Sequence, residues 1–175
     1  MNYNNIIRNG SEKMNQKYLT ELHLHTKESS SCSNIPAREM IGAYKKKGYS
    51  TIVVTDHCSK GKMERLGNIS WKQKMDYVFT GFDIAKEYGK SLELNILLGV
   101  EITLYQTDSD YLVYGIDQDF LYNNEKIYEY SLPKLYNFED LARGGIVTTE
   151  EIKDINQLVK VLKNKEFKVI KDGKQ

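Results

Sequence analysis

The chain has 175 residues, enough for one domain with a buried core. It is 40% hydrophobic and 28% charged, as ordinary globular proteins are, and its net charge of +1 gives no large single-sign field to draw nucleic acid or an anionic membrane. Two cysteines, Cys32 and Cys58, are too few for a disulfide framework, and no apolar run reaches the roughly 18 residues that a spanning helix needs.

Residues 1–17 (MNYNNIIRNGSEKMNQK) form a polar lead-in. They carry no apolar stretch of the kind a secretory signal needs, so a cytoplasmic location is expected. Residues 18–24 alternate as a strand does and end at a pair of histidines. Pro36 stands where a first helical turn can begin, with Ala37, Met40, Ile41 and Tyr44 on one face. Lys45, Lys46 and Lys47 then complement the helix dipole, and Gly48 supplies a stop. Residues 51–55 (TIVVT) are apolar and β-branched, like a strand covered on both faces. Ser70 and Gln73 have capping-box spacing, followed by the stripe Met75, Val78, Phe79, Phe82 and Ala85 and a stop at Gly89. Residues 94–104 and 111–116 read as two further strands.

This alternation of strand and helix predicts a parallel α/β arrangement, either sheet or barrel. Beyond Asn123 the pattern weakens, with some periodicity at 138–142. Thr148 and Glu151 again have capping-box spacing, Ile152, Ile155, Leu158, Val159 and Leu162 recur at helical spacing, and 167–170 suit a last short strand. The expected division is the lead-in 1–17, a metal-binding domain at 18–143 and a C-terminal helical appendage at 144–175.

The three histidines all lie at predicted strand ends. In His23-Leu24-His25 alternate side chains share a face, so both imidazoles can point at one ion while Leu24 enters the core. Alone, this spacing equally describes two surface or hydrogen-bonded histidines. Thr55-Asp56-His57 follows a buried strand, where functional groups of α/β proteins collect. Asp56 suits an acceptor for an imidazole N–H, a metal ligand or a turn cap. Glu101 lies within LLGVEITL, where a buried carboxylate needs a cation or a metal, unless the strand edge turns it to solvent. A carboxylate there can bridge two hard cations. Lys60, Lys62 and Arg65 are either phosphate contacts or surface charge, and Cys32 and Cys58 are either soft-metal ligands or plain thiols.

The segments ELHLHTKESSSCSNIPAREMIGAYKKKGYSTIVVTDH, LLGVEI and YLVYGID, within residues 19–120, resemble the PHP (polymerase and histidinol phosphatase) family. The resemblance implies a distorted (β/α)7-type barrel and metal-dependent hydrolysis of a phosphoester through water activated by one to three Mn, Zn or Fe ions. It implies that His23 and His25 bind one ion, that Glu101 bridges two and that His57 binds a third, with Asp56 and Glu101 as the catalytic carboxylates. The implied substrate is a small phosphorylated metabolite or nucleotide.

No histidine follows His57, and the later AHP-like and DxH motifs of fuller members are not found. The expectation is therefore an incomplete barrel, truncated in its C-terminal half, with an open sheet edge covered by the helix 149–163 or by a second subunit. Asp108, Asp110 and Asp117 are either substitute ligands or turn residues. The alternative is a PHP-like module with weak or no catalysis that binds metal or phosphate or serves regulation.

Overall fold

The computed structural model describes residues 19–106, 109–136 and 146–148. The first strand, β1 (Leu19–Leu24), pairs in parallel with β2 (Tyr49–Val54), and β2 pairs in parallel with the first half of β4 (Asn95–Leu104). Between β1 and β2 runs α1 (Ala37–Lys46), whose Ala37 and Ile41 are buried and whose Met40 and Tyr44 pack partly against the same core. Pro36 is its N-cap, Glu28 accepts from the Ala37 N–H with both carboxylate oxygens, and Gly48 takes the left-handed conformation that ends the helix (φ 84°).

Strand β3 (His57–Ser59) has no counterpart in the sequence expectations. After Val54 the chain breaks at Thr55-Asp56, then pairs in parallel with the second half of β4, so that β2 and β3 share one long partner. A short helix α2 (Lys60–Arg65) follows, and then α3 (Trp71–Ser91). The capping box of Ser70 and Gln73 forms with both of its bonds, and Met75, Val78, Phe79, Phe82 and Ala85 are all buried. The helix does not stop at Gly89. That residue lies inside it, where the helix presses on β4 and an added Cβ would stand 2.5 Å from Ile96 Cγ1.

Strand β5 (Ser109–Tyr114) departs from expectation in direction: it pairs antiparallel with β4. A parallel return needs a crossover of about a dozen residues, whereas the link from Leu104 to Ser109 suits only a hairpin. Helix α4 (Gln118–Asn123), a 3-10 turn (Ile127–Glu129) and α5 (Leu132–Tyr136) follow, and β6 (Ile146–Thr148) adds antiparallel to β5. The sheet order is β1-β2-β4-β5-β6, with β3 beside β4, and among the described residues no hydrogen bonds close it. This is a mixed α/β fold with a parallel sheet, consistent with a partial (β/α) barrel. The lead-in 1–17, the segment 138–142, the helix 149–163 and the strand 167–170 lie outside the described residues. No helix among the described residues is long and apolar enough to cross a membrane.

Two apolar clusters fill the space between helices and sheet. One joins Leu24, Ile41, Ile52, Val54, Phe82 and Ile96, and the other joins Phe79, Val100, Ile102, Leu104, Leu121 and Leu135 among others. On β4 the even-numbered residues Ile96, Val100, Ile102 and Leu104 enter these clusters, which leaves Gly99, Glu101 and Thr103 on the opposite face. The strand thus carries one covered face and one face available for chemistry.

Helix α3 also meets the loop after β1. The Ser29 hydroxyl donates to the Tyr77 carbonyl (3.2 Å) and accepts from the Gly81 N–H (3.0 Å), which docks the loop on one turn of the helix. A Cβ at Gly81 would collide with the Thr26 side chain, whose own Cβ would be 2.6 Å away. Gly81→Ala is therefore expected to destabilise the protein by about 1–3 kcal/mol through overpacking. Gly42→Ala on α1 meets only Tyr88 at ordinary contact distance (3.7 Å) and is expected to be neutral or to stabilise by up to about 1 kcal/mol. Paired urea denaturation curves measure both, and equal midpoints for the two variants would refute the close approach at Gly81.

Candidate metal centre

The site begins with a distortion of β1. Glu21 Oε1 accepts from the backbone N–H groups of Leu22 (3.0 Å) and His23 (3.1 Å), and the register with β2 shifts between Glu21 and Leu24. Glu21 Oε2 is held by the Tyr44 hydroxyl at 2.9 Å. Past this irregularity Leu24 is buried, and Thr55 clamps it by receiving the Leu24 N–H on its hydroxyl and by donating its own N–H to the Leu24 carbonyl. His23 and His25 are left on the side opposite the core.

The break between β2 and β3 aims the next two residues differently. Asp56 turns inward, is 3% exposed and accepts three hydrogen bonds: Thr26 N–H (2.8 Å) and Ser30 Oγ (2.7 Å) on Oδ1, and Thr26 Oγ1 (2.7 Å) on Oδ2. Its donors are thus the loop after His25, not an imidazole. His57 points outward, its N–H bonded to Ser30 Oγ at 3.2 Å. Its carbonyl accepts from the buried Lys62 ammonium at 2.8 Å. Lys62 is thereby an internal brace and not surface charge, and burial lowers its pKa.

Glu101 is the centre of the cluster. Parallel pairing sets it beside His57 in register, and its Oε2 lies 2.9 Å from His25 Nε2, 3.2 Å from His23 Nε2 and 3.3 Å from His57 Nδ1. The two residues of the HxH pair also approach each other, Nε2 to Nε2, at 2.7 Å. Burial pushes the Glu101 carboxyl up, but the hydrogen bonds from His23 and His25 and the nearby imidazoles outweigh it and bring the pKa down to about 2. Burial, and then neighbouring His25, hold His57 below the usual imidazole range, which favours the neutral form that binds metal.

Cys32 joins the same site. Its Sγ is 3.5 Å from His57 Nε2, so His57 presents one ring nitrogen to Glu101 and the other to a thiol. Two groups of potential ligands result, His23–His25–Glu101 and His25–Cys32–His57, each with its ligand atoms within 4.8 Å of one another. Burial raises the Cys32 thiol pKa, so its thiolate needs a cation close by. In the sequence Cys32 stands open between soft-metal ligand and plain thiol, with no ligand spacing to decide it, and the buried hydroxyls of Thr26, Ser29 and Ser30 are unmarked.

Other residues fall away from the cluster. Cys58 is wholly buried in the core, and burial pushes its thiol up to about 12. Asp117 caps α4 through the Phe120 N–H at 2.8 Å, and Asp110 accepts from Thr103 Oγ1 at 2.6 Å. Lys60 stacks on Tyr105, its Nζ 3.9 Å from the ring centre. Asp108 lies outside the described residues.

The donor set fits a divalent ion. Ligands at about 2.0–2.3 Å from one ion stand roughly 2.9–3.7 Å apart in octahedral or tetrahedral geometry. Glu101 Oε2 lies 2.9–3.3 Å from each of the three ring nitrogens, within that range, and the Nε2 atoms of His23 and His25 stand slightly closer together, at 2.7 Å. Protons serve this arrangement poorly, because a neutral imidazole has one N–H and two Nε2 atoms face each other. His25 Nδ1 is, besides, a buried ring nitrogen with no hydrogen-bond partner.

Two outcomes follow for the protein's stability. Asp56→Ala strands three buried donors and is expected to cost on the order of 3 kcal/mol or more, as read from denaturant unfolding. The Glu101 carboxyl lies at about 2 in the folded state against 4.5 unperturbed, so its ionised form contributes stability above about pH 4.5 that is lost as pH falls toward 2. Thermal melts of metal-free protein across that window are expected to show the loss, and Glu101→Gln to flatten it. A slope identical in both proteins would remove Glu101 as its source.

Comparison with curated proteins gives no significant match. The family described as PHP domain matches residues 21–169, well over half of the chain's 175 residues, and its match takes in every residue of the cluster. That family points to metal-dependent phosphoester chemistry, in accord with a site of imidazole, carboxylate and thiol groups able to hold metal. The chain belongs to the PHP family.

Proposed function

We propose that the protein hydrolyses a phosphoester, with His23, His25, His57 and Glu101 as metal ligands and Cys32 as a further one. The observation that supports this reading most is the convergence of three imidazoles on the single buried oxygen of Glu101. Manganese, zinc or iron suits the nitrogen and oxygen donors, and Cys32 favours zinc or iron for an ion near His57. When bound, such ions lower the pKa of a water and offset the charge of a phosphate.

The protein's own groups do the rest. His23 and His25, fixed by the irregular end of β1, present neutral nitrogens on one side of Glu101, and His57 presents one from the other. Glu101 contributes a full negative charge, which would retain divalent ions. Asp56 acts from below by holding the 26–30 loop in place, a supporting part in catalysis and not contact with substrate. The substrate is a small phosphorylated compound. Free thiols suit a cytoplasmic setting, and β1, which has no strand on its outer side among the described residues, is the edge a second copy would cover.

Metal analysis of the purified chain and hydrolysis of p-nitrophenyl phosphate test the reading. The expectation is at least one bound divalent ion per chain, with His25→Ala lowering turnover by about 100-fold or more, the upper range for lost metal-site residues. Protein that stays metal-free and inactive after incubation with manganese or zinc would sink the proposal. Metal and phosphate binding with no turnover would instead support a binding module.

A further inference from the structure

An open pocket of about 390 Å³ is lined by Ser59, Lys60, Gly61, Glu64, Thr103 and Tyr105. That volume is at the small end of the range for small-molecule sites. Its place follows from strand register. His57 pairs with Glu101, and two residues on, Ser59 pairs with Thr103. The intervening Cys58 and Ile102 are fully buried in the core, so Ser59 and Thr103 project on the same side as His57 and Glu101. They stand one repeat, about 7 Å, further along the strands. A phosphoester bound at the cluster would extend its remaining portion into this pocket.

We propose that the pocket receives the alcohol portion of the substrate, and that this portion is an uncharged, hydroxyl-rich group of sugar size. The inference rests on the hydrolytic reading above for the position of the phosphate. The lining argues for the chemistry. The lining holds one cation, Lys60, and one carboxylate, Glu64, and Thr103 is bonded to the Asp110 carboxylate, so the pocket offers no excess positive charge to a second anionic group. The apolar part of the lining is the ring of Tyr105 and side-chain stems, with no purely aliphatic side chain among the lining residues. The Lys60 ammonium already lies over one face of that ring, where a flat base would otherwise stack.

Hydroxyl groups, by contrast, find matching partners. Glu64 is an acceptor, Thr103 Oγ1 donates to Asp110 and keeps lone pairs free, and Ser59 Oγ accepts the Lys62 N–H while its own hydrogen remains to donate. Tyr105 is 60% exposed and presents both its hydroxyl and a ring edge.

Calorimetric titration of the zinc-loaded full chain with ribose 5-phosphate and with phenyl phosphate tests this, since the two share the phosphate and differ in the alcohol. Ribose 5-phosphate is expected to bind about ten-fold more tightly, a preference of the size that one or two hydrogen bonds confer. Tyr105→Ala and Glu64→Gln, both at solvent-facing positions where folding is not at stake, are each expected to reduce the preference to about three-fold or less. Equal affinities in the unmodified protein, or a preference that survives both substitutions, would overturn the assignment. Hydrolysis of the same two esters is read in parallel. Preference without turnover upholds the pocket and rejects the hydrolytic reading, and turnover without preference does the reverse.

Discussion

A buried carboxylate, its two oxygens taken up by three hydrogen bonds, holds the site together. Asp56 gathers Thr26 and Ser30 with its two oxygens, and its backbone carbonyl receives the Glu101 N–H at 3.3 Å. One residue therefore ties the loop after the first histidine pair, the break between β2 and β3, and the strand that bears Glu101. Because a carboxylate removed from water must be hydrogen-bonded, the loop has little freedom to adopt another conformation. The imidazoles stand in place because the loop and the strand end that carry them are fixed from beneath.

The break at Thr55-Asp56 has a second effect. A strand continued without interruption would keep strict alternation, sending successive residues to opposite faces of the sheet. Alternation alone would also separate Asp56 from His57; what the interruption adds is a second run of pairing, β3 with the later half of β4, that sets His57 in register with Glu101. Inward support and outward ligand thus come from adjacent residues. Lys62 completes the arrangement from the helical side by holding the carbonyl of His57. A buried ammonium is costly unless bonded, so its retention there argues for a demand on backbone position.

Much of this was legible in the sequence because periodicity and strand-end position report on local geometry. His23, His25, His57 and Glu101 stood at predicted strand ends or in an apolar strand, and the capping box and apolar stripe of α3 were read residue by residue. The direction of β5 was legible but missed: the gap between the predicted strands 94–104 and 111–116 is too short for a parallel crossover, whereas strand alternation alone suggested the wrong sense. Two things were not legible. The partners of Asp56 depend on long-range contact with Thr26 and Ser30, in a stretch of serines that reads simply as loop. The approach of Cys32 to His57 spans 25 positions and follows no ligand spacing. Local pattern identifies elements, whereas tertiary closure decides which polar residues within a loop are structural and which face the ligand.

The docking of Ser29 on α3 links that loop to the helix at a single angular position. An α-helix turns about 100° for each residue, so the distance in sequence from the Ser70 cap to Gly81 sets which side chain confronts Thr26. Adding or deleting one residue within that interval would rotate a bulkier neighbour into the glycine's place and carry the Tyr77 carbonyl out of reach. The first three turns of α3 are consequently a fixed-length spacer. Substitutions on its outer face are compatible with the site, but changes of length are not.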